Sequence, residues 1–494
     1  MNRLRLARLL LETTSPLAIN SAERAAGFDT ALARDANHLP YLPATSLAGV
    51  WRHWVTRHMG DAVADAWFGS LEPDASASRL FIQNGLLINS RHQPVQGLLS
   101  DDEIAQDNLL NQLVQPNPHH REQVRINDRG VAQDTGKYDQ ILLPAGLRFC
   151  VDIRWHPPRT PHQQDDTATQ QQQWRAILTA FTDPLFRLGS HTRNGLGRLR
   201  LVASELTELP LQNAPAQGEV LRRLTRRDTL PVRQDLQPDA LATAPFARLT
   251  LQARDGWRAG VGYRPVSEDT APETDRFTYS EPVVVWQQQA DGNWHGKWRD
   301  TPQVVLCASA IKGTLAHRLA FHYRCLQQEF AETEPLRRHE QWQQRPDGLR
   351  DLLGSSPQDD TLLAGKLWVD DVIIHEVQTL VRHYNSLDRF TGGVRQGRLF
   401  SEELLWQPRF EVILRLSPHT RVSPTLRDAL KLTLADLQDG LLPLGAGSGR
   451  GTSLVAAVPD APWHIDWNQL GELDELDEPK SPLNDAADDT ELTL

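Results

Sequence analysis

Three cysteines in 494 residues, Cys150, Cys307 and Cys325, stand far apart with no Cys-x-x-Cys pair. That scarcity excludes a disulfide framework and a cysteine-built zinc site, so the three read as core thiols. Long apolar runs are missing as well. No stretch approaches the roughly 20 apolar residues of a membrane-spanning helix. The start, Met1-Asn2-Arg3 followed by the alternating Leu4 to Leu9, lacks the apolar segment and small-residue cleavage site of a signal peptide. A cytoplasmic protein without membrane partners is expected. His375-Glu376 is followed at the fourth position by Thr379, so the paired histidines of a zinc peptidase are missing too.

Positive charge is in deficit, with 52 Lys and Arg against 63 Asp and Glu, a formal −11. From Glu472 onward nine acids face one base, Lys480, which places −8 in the tail and leaves −3 on the body. An acidic, proline-containing tail without aromatics cannot bury enough apolar surface to fold and is expected to be disordered. The near-neutral body leaves nucleic acid open as a partner. Its length is too great for one core and predicts two domains.

A repeat runs through that body. Strand-like alternation opens each half, at Leu4 to Leu11 and at Phe246 to Ala253. Pro43-Ala-Thr-Ser-Leu-Ala-Gly49 and Cys307-Ala-Ser-Ala-Ile-Lys-Gly313 then lead into helical patterns. Apolar strands follow at Leu80 to Ile88 and Leu367 to Ile374, then Asp128-Arg129 and Asp388-Arg389, and then strands containing Phe149 to Arg154 and Phe410 to Arg415. Measured from Ser46 and Ser309, the aspartates lie 82 and 79 residues on, the phenylalanines 103 and 101, and the closing glycines 143 and 136. Order and spacing together make this a duplication. Strands interspersed with helices predict an α+β fold, with a split βαβ, ferredoxin-like sheet in each half. Between them Thr207 to Leu241, with four prolines, reads as a linker; its Arg222, Arg223, Arg226 and Arg227 form a solvated face or touch phosphate.

Each half ends in a glycine loop, Leu188-Gly-Ser-His-Thr-Arg-Asn-Gly-Leu-Gly-Arg198 and Leu444-Gly-Ala-Gly-Ser-Gly-Arg-Gly-Thr452. Clustered glycines permit positive φ and close backbone approach, so N–H groups around Gly189, Gly445 and Gly447 can converge on an anion while Arg193, Arg198 and Arg450 add charged donors. Neither loop continues into the Gly-Lys-Ser/Thr of a nucleotide-binding loop, nor opens a helix as a dinucleotide fingerprint does. The two helix starts, with Ser46 and Arg52 in one and Ser309 and Lys312 in the other, offer second anion sites, the alternative being simple N-capping.

Five features carry a family resemblance. They are Leu11-Glu-Thr-Thr-Ser-Pro-Leu-Ala-Ile19 leading to Gly27 to Asp35; Pro40 to Gly49; Phe68-Gly-Ser70; Leu387-Asp-Arg-Phe-Thr-Gly-Gly393 with Leu399 to Glu403; and Gly440 to Gly451. In this order they resemble the RAMP superfamily of CRISPR-associated RNA-binding proteins, and within it fused double backbone subunits of type III effector complexes. The resemblance implies two tandem ferredoxin-like (RRM-like) RAMP domains, at residues 1–205 and 245–459, with a linker at 206–244 and an acidic tail at 460–494. It implies binding of guide RNA (crRNA), complementary target RNA and other CRISPR effector subunits. Each domain would insert a thumb hairpin that displaces a guide–target base pair, mapping onto Arg125 to Tyr138 and Arg382 to Leu399, which adds Arg129 and Arg389 to the RNA-binding candidates.

In family members that cut target RNA an aspartate in the loop after the first strand is required, and by position it falls on Asp29, with Asp35 nearby. RNA supplies its own nucleophile in the 2′-hydroxyl, so a carboxylate that deprotonates it or positions a divalent metal, Mg2+, can promote in-line cleavage. In the second half Ser280 stands where the family has aspartate, leaving Glu281 and Asp275 as substitutes. The resemblance therefore implies an RNA-guided endoribonuclease acting from its first module, and a purely scaffolding subunit is the alternative.

Overall fold

A computed structural model describes residues 3–21, 30–70, 75–127, 131–156, 167–210, 226–238, 243–334, 344–355, 363–375 and 378–473, with Gly218, Arg222, Gln341 and Trp342. The first module runs β1 (Arg3–Thr13), α1 (Ala44–Met59), β2 (Leu80–Ile82), β3 (Leu86–Leu87), a hairpin of β4 (His119–Ile126) and β5 (Ala132–Leu142), β6 (Arg148–Trp155), α2 (Thr167–Leu178) and β7 (Leu199–Pro210). Its antiparallel sheet has the order β2-β6-β1-β7, with β3 also on β6. Alternation in β1 turns Ala7, Leu9 and Leu11 toward Trp51 and Val55 of α1 and Trp174 and Ile177 of α2, which form one core.

The second module repeats this plan. β8 (Ala247–Ala253), α3 (Ala308–Leu326), β9 (Leu367–Val369), β10 (Val372–Ile374), a hairpin of β11 (Thr379–Tyr384) and β12 (Phe400–Trp406), β13 (Arg409–Leu416), α4 (Pro424–Gln438) and β14 (Val455–Ala457) follow in sequence. The sheet order is β9-β13-β8-β14, the same placement as in the first module. Pro424 at the first helical position and the Ser423 hydroxyl, which accepts from the Leu426 amide at 3.2 Å, start α4. Mixed helix and antiparallel sheet make the chain α+β, as expected.

Several expectations shift at their edges. Each strand expected at Leu80 to Ile88 and at Leu367 to Ile374 is broken in two. In the first, the chain leaves the sheet at Gly85, whose amide turns to the Leu42 carbonyl at 2.8 Å. The linker folds back: β7 continues to Pro210, and Ser204 exchanges backbone hydrogen bonds with Arg233 and Asp235. Thr229 and the Arg226 carbonyl take up the Arg8 guanidinium, so β1 is buried on both faces. Past residue 459, β15 (His464–Ile465) pairs with β8 and Leu470 is buried; the second module thus reaches Leu473, and the tail from 474 lies outside the described residues. Cys150 is buried, whereas Cys307 and Cys325 are only half-buried. His119 sits buried in β4.

Sequence reading missed an arm. The hairpin Val284–Gln288 and Trp294–Trp298 leaves the second module and packs on the first. The Val284 amide donates to the Ala145 carbonyl at 2.9 Å, Gly296 to Ser90 at 2.8 Å, and the Trp286 indole to Gly146 at 2.8 Å. Arg148 lies 4.5 Å from the Trp286 ring and 5.2 Å from Trp294. Gly146, at φ +87°, approaches the Val284 carbonyl so closely that a Cβ would overlap it. Gly146→Ala is expected to destabilise the chain by at least ~1–2 kcal/mol, the cost of a left-handed alanine before any clash. Urea unfolding followed by tryptophan fluorescence measures it.

Candidate nucleic-acid interface

The first glycine loop forms the joint between the modules, with Gly195 to Gly197 buried and Gly189 and His191 exposed. Asn194 pairs with Val369, Gly195 packs against the Asp371 carboxylate and Ala308, and Gly189 lies against the Ala18 carbonyl. Arg193 donates to the Gly365 carbonyl at 2.5 Å and lies 4.6 Å from the Trp368 ring. Arg187, Arg198 (3.4 Å) and Arg415 (3.4 Å) converge on Asp370. Burial opposes ionisation of Asp370, yet Arg187, Arg198 and Arg415 hold its carboxyl below the usual range. Both arginines expected to meet phosphate in this loop are therefore engaged in contacts between modules, though Arg198 keeps 34% of its side chain exposed.

Hairpins occupy the two stretches expected to form thumbs. β4–β5 exposes Val124, Ile126, Val131 and Tyr138, and β11–β12 exposes Leu387, Phe390, Val394 and Leu399, with Phe390 99% exposed beside exposed Arg389. The second tip is shaped by Asp388, whose carboxylate accepts from the amides of Phe390 and Thr391 at 3.0 Å. At the base of the first hairpin, buried Arg121 reaches the second module and pairs with Glu281 at 2.6 Å and Asp371 at 2.7 Å.

That pair removes Glu281 from the catalytic candidates. Its carboxyl is buried, which opposes ionisation, but Arg121 and then His119 hold it well below the usual range; it also accepts from Tyr279 at 2.7 Å. Asp275 is occupied too, accepting from the Ser401 amide at 2.8 Å and hydroxyl at 3.0 Å. Ser280 lies in a short strand opposite Val304. In the first module Asp35 closes a turn, accepting from the amides of Asn37 and Leu39 at 2.9 Å. Asp29 and Arg129 lie outside the described residues. Among the described residues no group of three His, Cys, Asp or Glu could hold a metal ion. No described helix is long and apolar enough to cross a membrane.

At the helix starts the N-cap positions are Pro43 and Cys307, so Ser46 and Ser309 sit inside the first turn and do not cap. The Ala44 amide donates to Asn84 at 2.9 Å, and the Ala308 amide to the Asp371 carboxylate at 2.7 Å. An internal carboxylate thus fills the second helix start. Arg52 binds the Gly69 carbonyl at 2.6 Å and Asp65 at 2.5 Å, tying α1 to the short helix after it. The second glycine loop is the more exposed: Gly445 and Ser448 to Gly451 are exposed, and Gly447 and Gly451 are left-handed on either side of a turn at Ser448–Arg450.

Comparison with known proteins bears on residues 10–200, which match the RAMP superfamily model. The match covers most of the first module. The solved structure "Cryo-EM structure of the Type III-B Cmr-beta bound to cognate target RNA" is similar at 13% identity and a TM-score of 0.26, over 41% of this chain and 61% of that one. This chain thus spans less than two thirds of the solved chain it matches. No curated protein matches the sequence.

Where the first module meets the second, Lys312 of α3 is half-buried and donates to the Leu367 carbonyl at 2.9 Å. Burial, and then Arg193, Arg345 and Arg187, lower its pKa from 10.5 to about 7. A folded pKa below the unfolded one means that between pH 7 and about 10 the unfolded chain holds the extra proton, so stability rises with pH across that window. Lys312→Met is expected to abolish this rise, worth of order 1–2 kcal/mol after solvent screening. Denaturant midpoints at pH 7 and 9.5 for both chains check it.

Proposed function

We propose that the chain is a two-module backbone subunit of a type III CRISPR RNA-guided effector, binding guide RNA and cleaving complementary target RNA from its first module. One observation carries the reading. Two sheets of the same strand order, the first within the stretch that matches the RAMP superfamily model, each project an apolar-tipped hairpin at the same point of the chain, and a buried ionic joint holds them side by side. The order β2-β6-β1-β7, with α1 and α2 in the crossovers, supports a ferredoxin-like reading of each module. Exposed apolar side chains at a hairpin tip are costly in water and fit the faces of unstacked bases. Guide RNA, target RNA and neighbouring effector subunits are the partners in this reading.

Cleavage is assigned to Asp29 as the carboxylate acting on the ribose 2′-hydroxyl. In the second module Ser280 replaces it and the nearby acids are occupied by Arg121 and Ser401, which favours a scaffolding role there. In a complex assembled with guide and target RNA, Asp29→Ala is expected to abolish the first module's cut, a loss of at least ~100-fold in rate, while guide binding persists. Unchanged cleavage at every site would leave the scaffold reading standing. Chelation of divalent ions before target addition tests the proposed Mg2+ requirement in the same assay.

A further inference from the structure

The second glycine loop is held by an ionic cluster within its own module, whereas the Asp370 cluster at the first loop spans the two modules. Glu402, on β12 and fully buried, accepts from Arg450 of the loop at 2.8 Å and from Arg276 at 3.0 Å, with Arg258 at 3.5 Å. Three guanidiniums thus converge on one carboxylate. The other two acids at hand are turned elsewhere: Glu403 accepts from the amides of Val266 and Thr278 and the Thr270 hydroxyl, and Asp275 from Ser401. The second Glu402 oxygen and the Arg258 Nε are buried without a hydrogen-bond partner. Burial first, and then Arg276 and Arg450, hold the Arg258 pKa below its usual range despite Glu402.

The outer side of this cluster is open. Arg276 and Arg450 expose 42% and 37% of their side chains, and a Cβ at Gly449 or Gly451 would meet nothing. Tyr384 and Phe400 stack beside it with centroids 5.2 Å apart, and Arg276 lies 4.8 Å from the Phe400 ring. In the first module the return strand of the hairpin also reaches its glycine loop, but through a neutral pair: the Gln140 amide donates to the Ser190 hydroxyl at 3.2 Å.

We infer that Arg276 and Arg450, ordered by Glu402 and Arg258, form a binding site for one backbone phosphodiester of single-stranded RNA. The inference rests on the RNA-binding reading above and adds Arg276, Arg258 and Glu402 to it. Glu402 offsets one of the three positive charges and fixes the planes of the guanidiniums; a phosphodiester at the exposed edge offsets another through charge-assisted hydrogen bonds. The cluster is a prearranged anion site rather than a chance surface patch, because its innermost arginine is buried and cannot reach solvent counterions.

The test is fluorescence anisotropy of the full chain with a labelled single-stranded RNA of about 20 nucleotides, at salt from about 50 to 200 mM. The double variant Arg276→Ala with Arg450→Ala is expected to reduce the slope of log Kd against log salt by about 0.7, one phosphate contact. The double lysine variant should keep most of that slope, and Arg409→Ala, at an exposed pair with Asp460, should match the parent chain. RNA binding with an unchanged slope in the double alanine variant overturns this inference alone. Lysines that behave like alanines mark a structural role and overturn it as well. A parent chain that binds no RNA overturns the functional reading beneath it.

Discussion

Two adjacent carboxylates, Asp370 and Asp371, hold the molecule in its arrangement. Asp370 gathers Arg187 and Arg198 from the first module and Arg415 from its own. Asp371 takes Arg121 from the base of the first hairpin and the amide that opens α3. Charges taken out of water in this way gain little net stability against an apolar core, but leaving one without its partner costs about 3–5 kcal/mol. The joint therefore favours the placement in which these charges are paired. The glycine loop, the first hairpin and the helix start all take their positions from it.

The duplicated modules spend equivalent parts differently. The first glycine loop is consumed as an internal joint, and its glycines admit the neighbouring backbone and the Asp371 carboxylate. The second is more exposed and is held by Glu402 among three arginines. Where the second module would carry a catalytic-type loop, it instead sends out the Val284 to Trp298 arm, whose indoles cover Arg148 and Gly146 of the first. A shared fold has been divided between joining and binding.

Much of the fold was legible because it depends on local periodicity. Alternating leucines mark β1, the Phe149 and Phe410 runs mark the strands beside it, and the serine-containing turns mark the starts of α1 and α3. The hairpins were found from a resemblance and from an Asp-Arg pair at a turn. Glu281 read as a substitute catalyst because nothing along the chain shows that Arg121, far away in sequence, fills its pocket. Arg193 and Arg198 read as phosphate ligands because an arginine among glycines looks the same whether it faces solvent or a second module. One signal was available and unused: Asp370-Asp371 interrupts the apolar run Leu367 to Ile374, where two acids have no place in a buried strand unless arginines come to meet them.

By itself the amino-acid order determined the repeat, the strand and helix pattern of each copy, and the two glycine-rich loops, all of which rest on neighbours within a few residues. Tertiary structure alone decided which loop forms the joint, which carboxylates are occupied, and that Glu402, Arg258, Arg276 and Arg450 meet. Those outcomes depend on charges brought together across more than 40 to 200 positions of chain. The cost of burying a charge is set by who arrives beside it, and local sequence does not carry that information.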